Sequence, residues 1–146
     1  MKIKNLRTAS IALISLLASS LLRAQAIEVQ VQVTGLRNTQ GRVLVAAHTT
    51  RDSFPSQWDR AAAKAEVSVN SPTTSATLKL PASGRYAIMV VHDEDGDGRM
   101  SKNRLGLPRE GYVTGNNPAS LEFPRFDRSA VDLQNGAKLE LRITYP

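Results

Sequence analysis
The chain has 146 residues, with nineteen Lys and Arg against thirteen Asp and Glu, no cysteine and one tryptophan. Absence of cysteine excludes disulfide staples and thiol chemistry. The formal charge of +6 overstates how basic the protein is. Four basic residues (Lys2, Lys4, Arg7 and Arg23) and no acidic ones fall in positions 1–26, which leaves fifteen against thirteen, or +2, in the rest. Aromatic residues are sparse and do not alternate with basic ones, so a nucleic-acid-binding role is excluded.

Residues 1–26 read as an export signal: a basic start, an apolar run from Ala9 to Leu22, and a small-x-small ending at Ala24-Gln25-Ala26. The run is shorter than the ~20 residues that span a bilayer, which favours a cleaved signal over an anchor. No cysteine follows it, so a lipoprotein anchor is excluded. The expected destination is the periplasm or the exterior, with no membrane span left after cleavage. Residues 27–146 then form one domain, long enough to bury a core.

Ile27 to Val33 alternates apolar and polar residues without a break, the period-two signature of a half-buried strand. The turn-rich Gly35–Gly41 separates it from a second strand, Arg42–Ala47, and the pair is expected to be a hairpin. Asp52 or Ser53 is placed to cap a short helix with Pro55 in its first turn, running through Trp58 to Ala63. Trp58 is expected to pack that helix on a sheet. Further strands are read at Glu66–Val69, Ser75–Leu80 and Arg85–His92. A last pair, Ala130–Leu133 and Leu139–Tyr145, is joined as a hairpin through Asn135-Gly136. The sum is an all-β, seven-stranded immunoglobulin-like (transthyretin-like) Greek-key sandwich with one short helix and one long loop. Leu80-Pro81-Ala82-Ser83-Gly84-Arg85-Tyr86 matches a tyrosine corner, which makes Tyr86 a fold residue.

The long loop runs from Asp93 to Arg128 and opens on an acidic cluster. Asp93, Asp95 and Asp97 stand at positions 1, 3 and 5 of a calcium-type loop, with Gly98 at the sharp turn of position 6. Arg99 offers its carbonyl at 7, Met100 an inward apolar anchor at 8, and Ser101 an oxygen at 9. Hard oxygen donors in this number favour calcium. Position 12 holds Arg104 where a bidentate glutamate belongs, so Glu110, Asn103 or water would have to complete the shell. A second reading needs no metal: aspartates in such turns accept backbone N–H bonds, and Arg99, Lys102, Arg104 and Arg109 neutralise them.

His92 ends a strand beside this cluster and His48 ends another, so a zinc site or a metal-dependent hydrolase built on His92 and Asp93–Asp97 is the alternative to a binding role. No nucleophile motif is visible. Tyr112, Asn116 and Asn117 compose either a sugar-compatible polar surface or a set of turn caps.

Gly84-x-Tyr86, His92-Asp93 with alternating acids, Asn103-x-x-Gly106-x-Pro108-x-Glu110-Gly111-Tyr112 and Asn116-Asn117 resemble an exported bacterial family catalogued as domain of unknown function 2141. Val113 and Gly115 depart from its pattern of glycine and serine after the tyrosine. The strand leading into an acidic turn is also similar to transthyretin-like and carboxypeptidase-regulatory domains. These resemblances imply a secreted β-sandwich of accessory or binding type, and the long loop is expected to present a recognition surface for a protein or a glycan. His92, Asn103, Tyr112, Asn116 and Asn117 are the ligand-facing candidates, and no catalytic residue is assigned.

Overall fold
The computed structural model describes residues 25–116 and 123–146. Most of the expected export signal, and Asn117, therefore lie outside the described residues. Eight strands are present: β1 (Ile27–Thr34), β2 (Arg42–His48), β3 (Ala63–Ser68), β4 (Thr73–Leu80), β5 (Gly84–Asp93), β6 (Tyr112–Thr114), β7 (Ala130–Leu133) and β8 (Lys138–Arg142). They form two sheets. One has the order β4-β1-β8; the other runs β3-β2-β5, with β6 and β7 both paired to β5. β7 lies against Gly84–Ala87 and β6 against Met89–Val91, so the two short strands share one edge of β5. The all-β sandwich expected from the sequence is what the chain forms.

The core follows from the alternation. Ile27, Val29, Val31 and Val33 of β1 are buried, as are Val43, Val45 and Ala47 of β2 and Tyr86, Ile88 and Val90 of β5, and all belong to one cluster between the sheets. β5 is buried on both faces: Ala87, Met89 and Val91 form a second cluster outside the sandwich with Phe54 and Ala130, against which Trp58, Met100, Tyr112 and Phe126 pack. A strand covered on both sides reads as a continuous apolar run, as Ala87-Ile88-Met89-Val90-Val91 does. The Tyr86 hydroxyl donates to the Ala82 carbonyl at 2.8 Å, completing the tyrosine corner.

Three expectations are corrected. Neither expected hairpin forms: β1 and β2 lie in different sheets, as do β7 and β8. The turns at Gly35–Gly41 and Asn135-Gly136 cross between sheets, because each strand pairs with strands other than its neighbour across the turn: β1 with β4 and β8, β2 with β3 and β5, and β7 with β5. The helix from Asp52 or Ser53 to Ala63 shrinks to one 3-10 turn, Trp58–Arg60. Ala63 instead pairs with Ala47 at the start of β3, so pairing overrides the helix propensity of the alanine run. The strand expected from Glu66 accordingly starts three residues earlier. The loop after Asp93 is interrupted by β6 and by one helical turn, α1 (Phe126–Ser129). Among the described residues no helix is long and apolar enough to cross a membrane.

Candidate functional site
The acidic loop sits where β5 leaves the sandwich. Oxygens of Asp93, Asp95 and Asp97 lie within 4.8 Å of one another, with Asp93 buried and the other two exposed. The local chain makes this spacing. The Asp93 carboxylate accepts from the N–H groups of Asp97 and Gly98, each at 3.0 Å, and Asp95 Oδ1 accepts from Asp97 N–H at 3.1 Å. Gly98 sits at φ +82°, a conformation that glycine adopts without penalty. Ser101 Oγ donates to Asp95 Oδ2 at 2.7 Å, and Asp97 accepts from Arg99 N–H at 2.9 Å. Hydrogen bonding from Ser101 and from Asp97 N–H holds the Asp95 carboxyl below its ordinary range.

Charge compensation comes largely from elsewhere in the chain. Arg42 on β2 donates Nε to Asp93 Oδ2 at 3.0 Å and also reaches the Gly96 carbonyl. Arg37 grips Glu94 with two bonds, at 2.9 and 2.6 Å, and Asn38 adds a third. That grip holds the Glu94 carboxyl down. Of the four basic residues expected to neutralise the loop, Arg99 alone forms an ion pair among the described residues, with Asp97 at 3.3 Å. Gly41 lies so close beneath the loop that a Cβ there would stand 1.9 Å from the Asp93 carbonyl oxygen.

Glu110 is buried and bridges the two ends of the loop. Oε1 accepts from Glu94 N–H at 2.8 Å and Oε2 from Ser101 N–H at 2.9 Å. Burial raises its carboxyl above the ordinary range, opposed by these two donors. It closes the loop as a backbone acceptor and is not a member of the aspartate triad. Downstream, Asn103 Oδ1 accepts from Leu105 and Leu107 N–H, and Arg109 N–H bonds to the Ser101 carbonyl, so residues 101–109 fold back as a small hairpin. Asn103 is thus a turn cap.

His92 is fully buried with both nitrogens occupied. Nε2 faces the Gln40 carbonyl at 2.8 Å, which only accepts, so Nε2 carries the proton. Nδ1 then accepts from the Tyr145 hydroxyl at 2.7 Å, whose oxygen accepts from Arg37 N–H at 3.1 Å. The Arg37 guanidinium lies over the Tyr145 ring, 4.4 Å from its centroid. His48 is opposite Ala87 in the ladder where His92 is opposite Val43. The two histidines are therefore roughly 17 Å apart along the strands. They also point to opposite faces, and no shared zinc site exists. Tyr112 packs on the outer cluster, and Asn116 Nδ2 donates to the Arg128 and Ala130 carbonyls.

Sequence reasoning passed over Arg37, Asn38, Arg42 and Tyr145. Each acts on residues about fifty or more positions away, and only the register brings them together.

Residues 31–140 match the model of a bacterial family described as "Uncharacterized protein conserved in bacteria (DUF2141)", and the chain belongs to this family. No curated protein and no solved structure matches the chain.

Proposed function
We propose that this member of the DUF2141 family is an exported, non-catalytic binding module of the periplasm or exterior. Its Asp93–Gly98 loop takes a calcium ion and holds the 93–110 segment as a recognition surface for a protein or glycan. The observation that carries the reading is the convergence of three aspartate oxygens within 4.8 Å on a glycine-turned loop. An ionised carboxylate has about four lone-pair sites. In the bonds described above Asp93 uses three, Asp95 two and Asp97 two, so each retains room for a cation. Ser101 and Met100 also fall where the loop pattern wants them, one on Asp95 and one against the outer apolar cluster.

A second reading is favoured by the Arg42–Asp93 and Arg99–Asp97 pairs: the loop is self-neutralised and needs no ion. The hydrolase alternative has less support, because both nitrogens of His92 are committed to the protein. Thermal melts with and without calcium separate the first two. An ion that binds only the folded state at about twentyfold its Kd adds about 1.8 kcal/mol, a rise in Tm on the order of 5 °C. Asp95→Ala with Asp97→Ala should abolish the rise. No shift in the parent protein at about 20 mM calcium, twentyfold the weakest expected Kd, overturns the calcium reading and leaves the self-neutralised loop.

A further inference from the structure
We propose that a second site, an apolar groove on the outer face of the β5 sheet, binds a small amphipathic carboxylate. It goes beyond the cation reading and uses none of the three aspartates. The groove has a volume of about 460 Å³, within the ~300–1,000 Å³ typical of small-molecule sites. Met89, Val91 and Tyr112 line it from the sheet, and Trp58 and Met100 from the segments packed on it. Three large apolar side chains are exposed among the described residues, Leu105, Leu107 and Phe123, and the last two line this groove. Exposed apolar surface gathered around a concavity marks a binding site more than scattered exposure does.

Charge selects the occupant. The charged side chains in the lining are Arg99 and Lys102, and no carboxylate is among the lining residues. Arg99 shares its guanidinium with Asp97 at 3.3 Å, whereas no ion pair among the described residues engages Lys102. An apolar cup with an uncommitted ammonium is complemented by an apolar body ending in a carboxylate, with Lys102 holding the head and Arg99 supporting it. Met89 and Met100 are adaptable walls, so the body is selected for its apolar character more than for its outline. A medium-length aliphatic chain or a single aromatic ring system fits that description.

Trp58 is the sole tryptophan and lines the groove, so its emission reports occupancy. The purified protein is titrated with decanoate below its micelle concentration, and in parallel with decanol. Decanoate should change the emission saturably, and decanol should bind about tenfold more weakly. Arg99→Ala with Lys102→Ala should weaken decanoate by about tenfold, the worth of a charge-assisted bond, and leave decanol unchanged. Lys102→Gln alone, on an exposed side chain, should give a smaller loss in the same direction with an unchanged melt. The proposal is overturned by no saturable response to decanoate, by equal affinity for decanol, or by indifference to both variants. Emission that depends on protein concentration and not on decanoate would also overturn it, and would make the groove a contact between two copies.

Discussion
The 93–110 segment has two halves of opposite character. The upstream half, Asp93–Gly98, is pinned by buried Asp93, by Arg42 and Arg37 reaching from the β1–β2 turn region, and by Glu110 beneath it. The downstream half, Met100–Pro108, is held mainly by its own hairpin bonds and leaves Leu105 and Leu107 exposed. Acid-rich sequence does not mean loosely solvated chain: the charged half is tied to distant parts of the protein by Arg37, Arg42 and Glu110. Apolar side chains are what remain available at the surface of the other half. If this contrast is right, substitutions should be costly upstream and nearly free downstream.

The largest effect is expected at Gly41. Gly41→Ala drives a Cβ into the Asp93 carbonyl at a position of φ +66°, and urea unfolding should show a loss of about 4 kcal/mol or more. A loss under about 1 kcal/mol would mean that the loop base is not seated on the turn. Next is Glu110→Ala, which strands the N–H groups of Glu94 and Ser101. At about 1–3 kcal/mol for each unsatisfied donor, a loss of about 2–6 kcal/mol is expected in the same assay. Hydrogen exchange at those two amides should rise together.

Glu94 gives a smaller, pH-dependent effect. Arg37 holds its carboxyl below the ordinary 4.5, so as pH falls the unfolded chain takes the proton first. The stabilisation is present in full above pH 4.5 and is lost as pH falls through the lower folded value. Arg37 is half exposed, so the pair is worth no more than about 1 kcal/mol. Glu94→Gln should flatten that part of the stability profile, and an unchanged acid limb would remove Glu94 from the account. The smallest effect belongs to the downstream half: Leu107→Ser should change stability by no more than about 0.5 kcal/mol. A larger loss there would erase the contrast between the halves.

Legibility in the sequence follows the same division between local and distant. β1 and β4 were readable because period-two alternation is a property of neighbouring residues, and β2 and β5 because a strand covered on both faces is a continuous apolar run. Which sheet each strand joins was not, since β1 finds β4 and β8 while β2 finds β3 and β5. β6 is three residues long between Gly111 and Gly115, too short to show a period. In the loop, the aspartate spacing was legible, because side chains at fixed offsets fold back on their own backbone, whereas Glu110, expected as a metal-shell oxygen, accepts from the backbone of Glu94 and Ser101. The clamp from Arg37 and Arg42 depended on register, and so did the bond between the Tyr145 hydroxyl and His92 Nδ1.

Direct calcium binding by isothermal titration calorimetry tests the central claim with the fewest intermediate steps. The account predicts one ion per chain with a Kd of roughly 10⁻⁴–10⁻³ M, as in extracellular modules, and loss of that binding in Asp97→Asn. Absence of saturable heat up to ten millimolar calcium, or binding that survives Asp97→Asn unchanged, would contradict it.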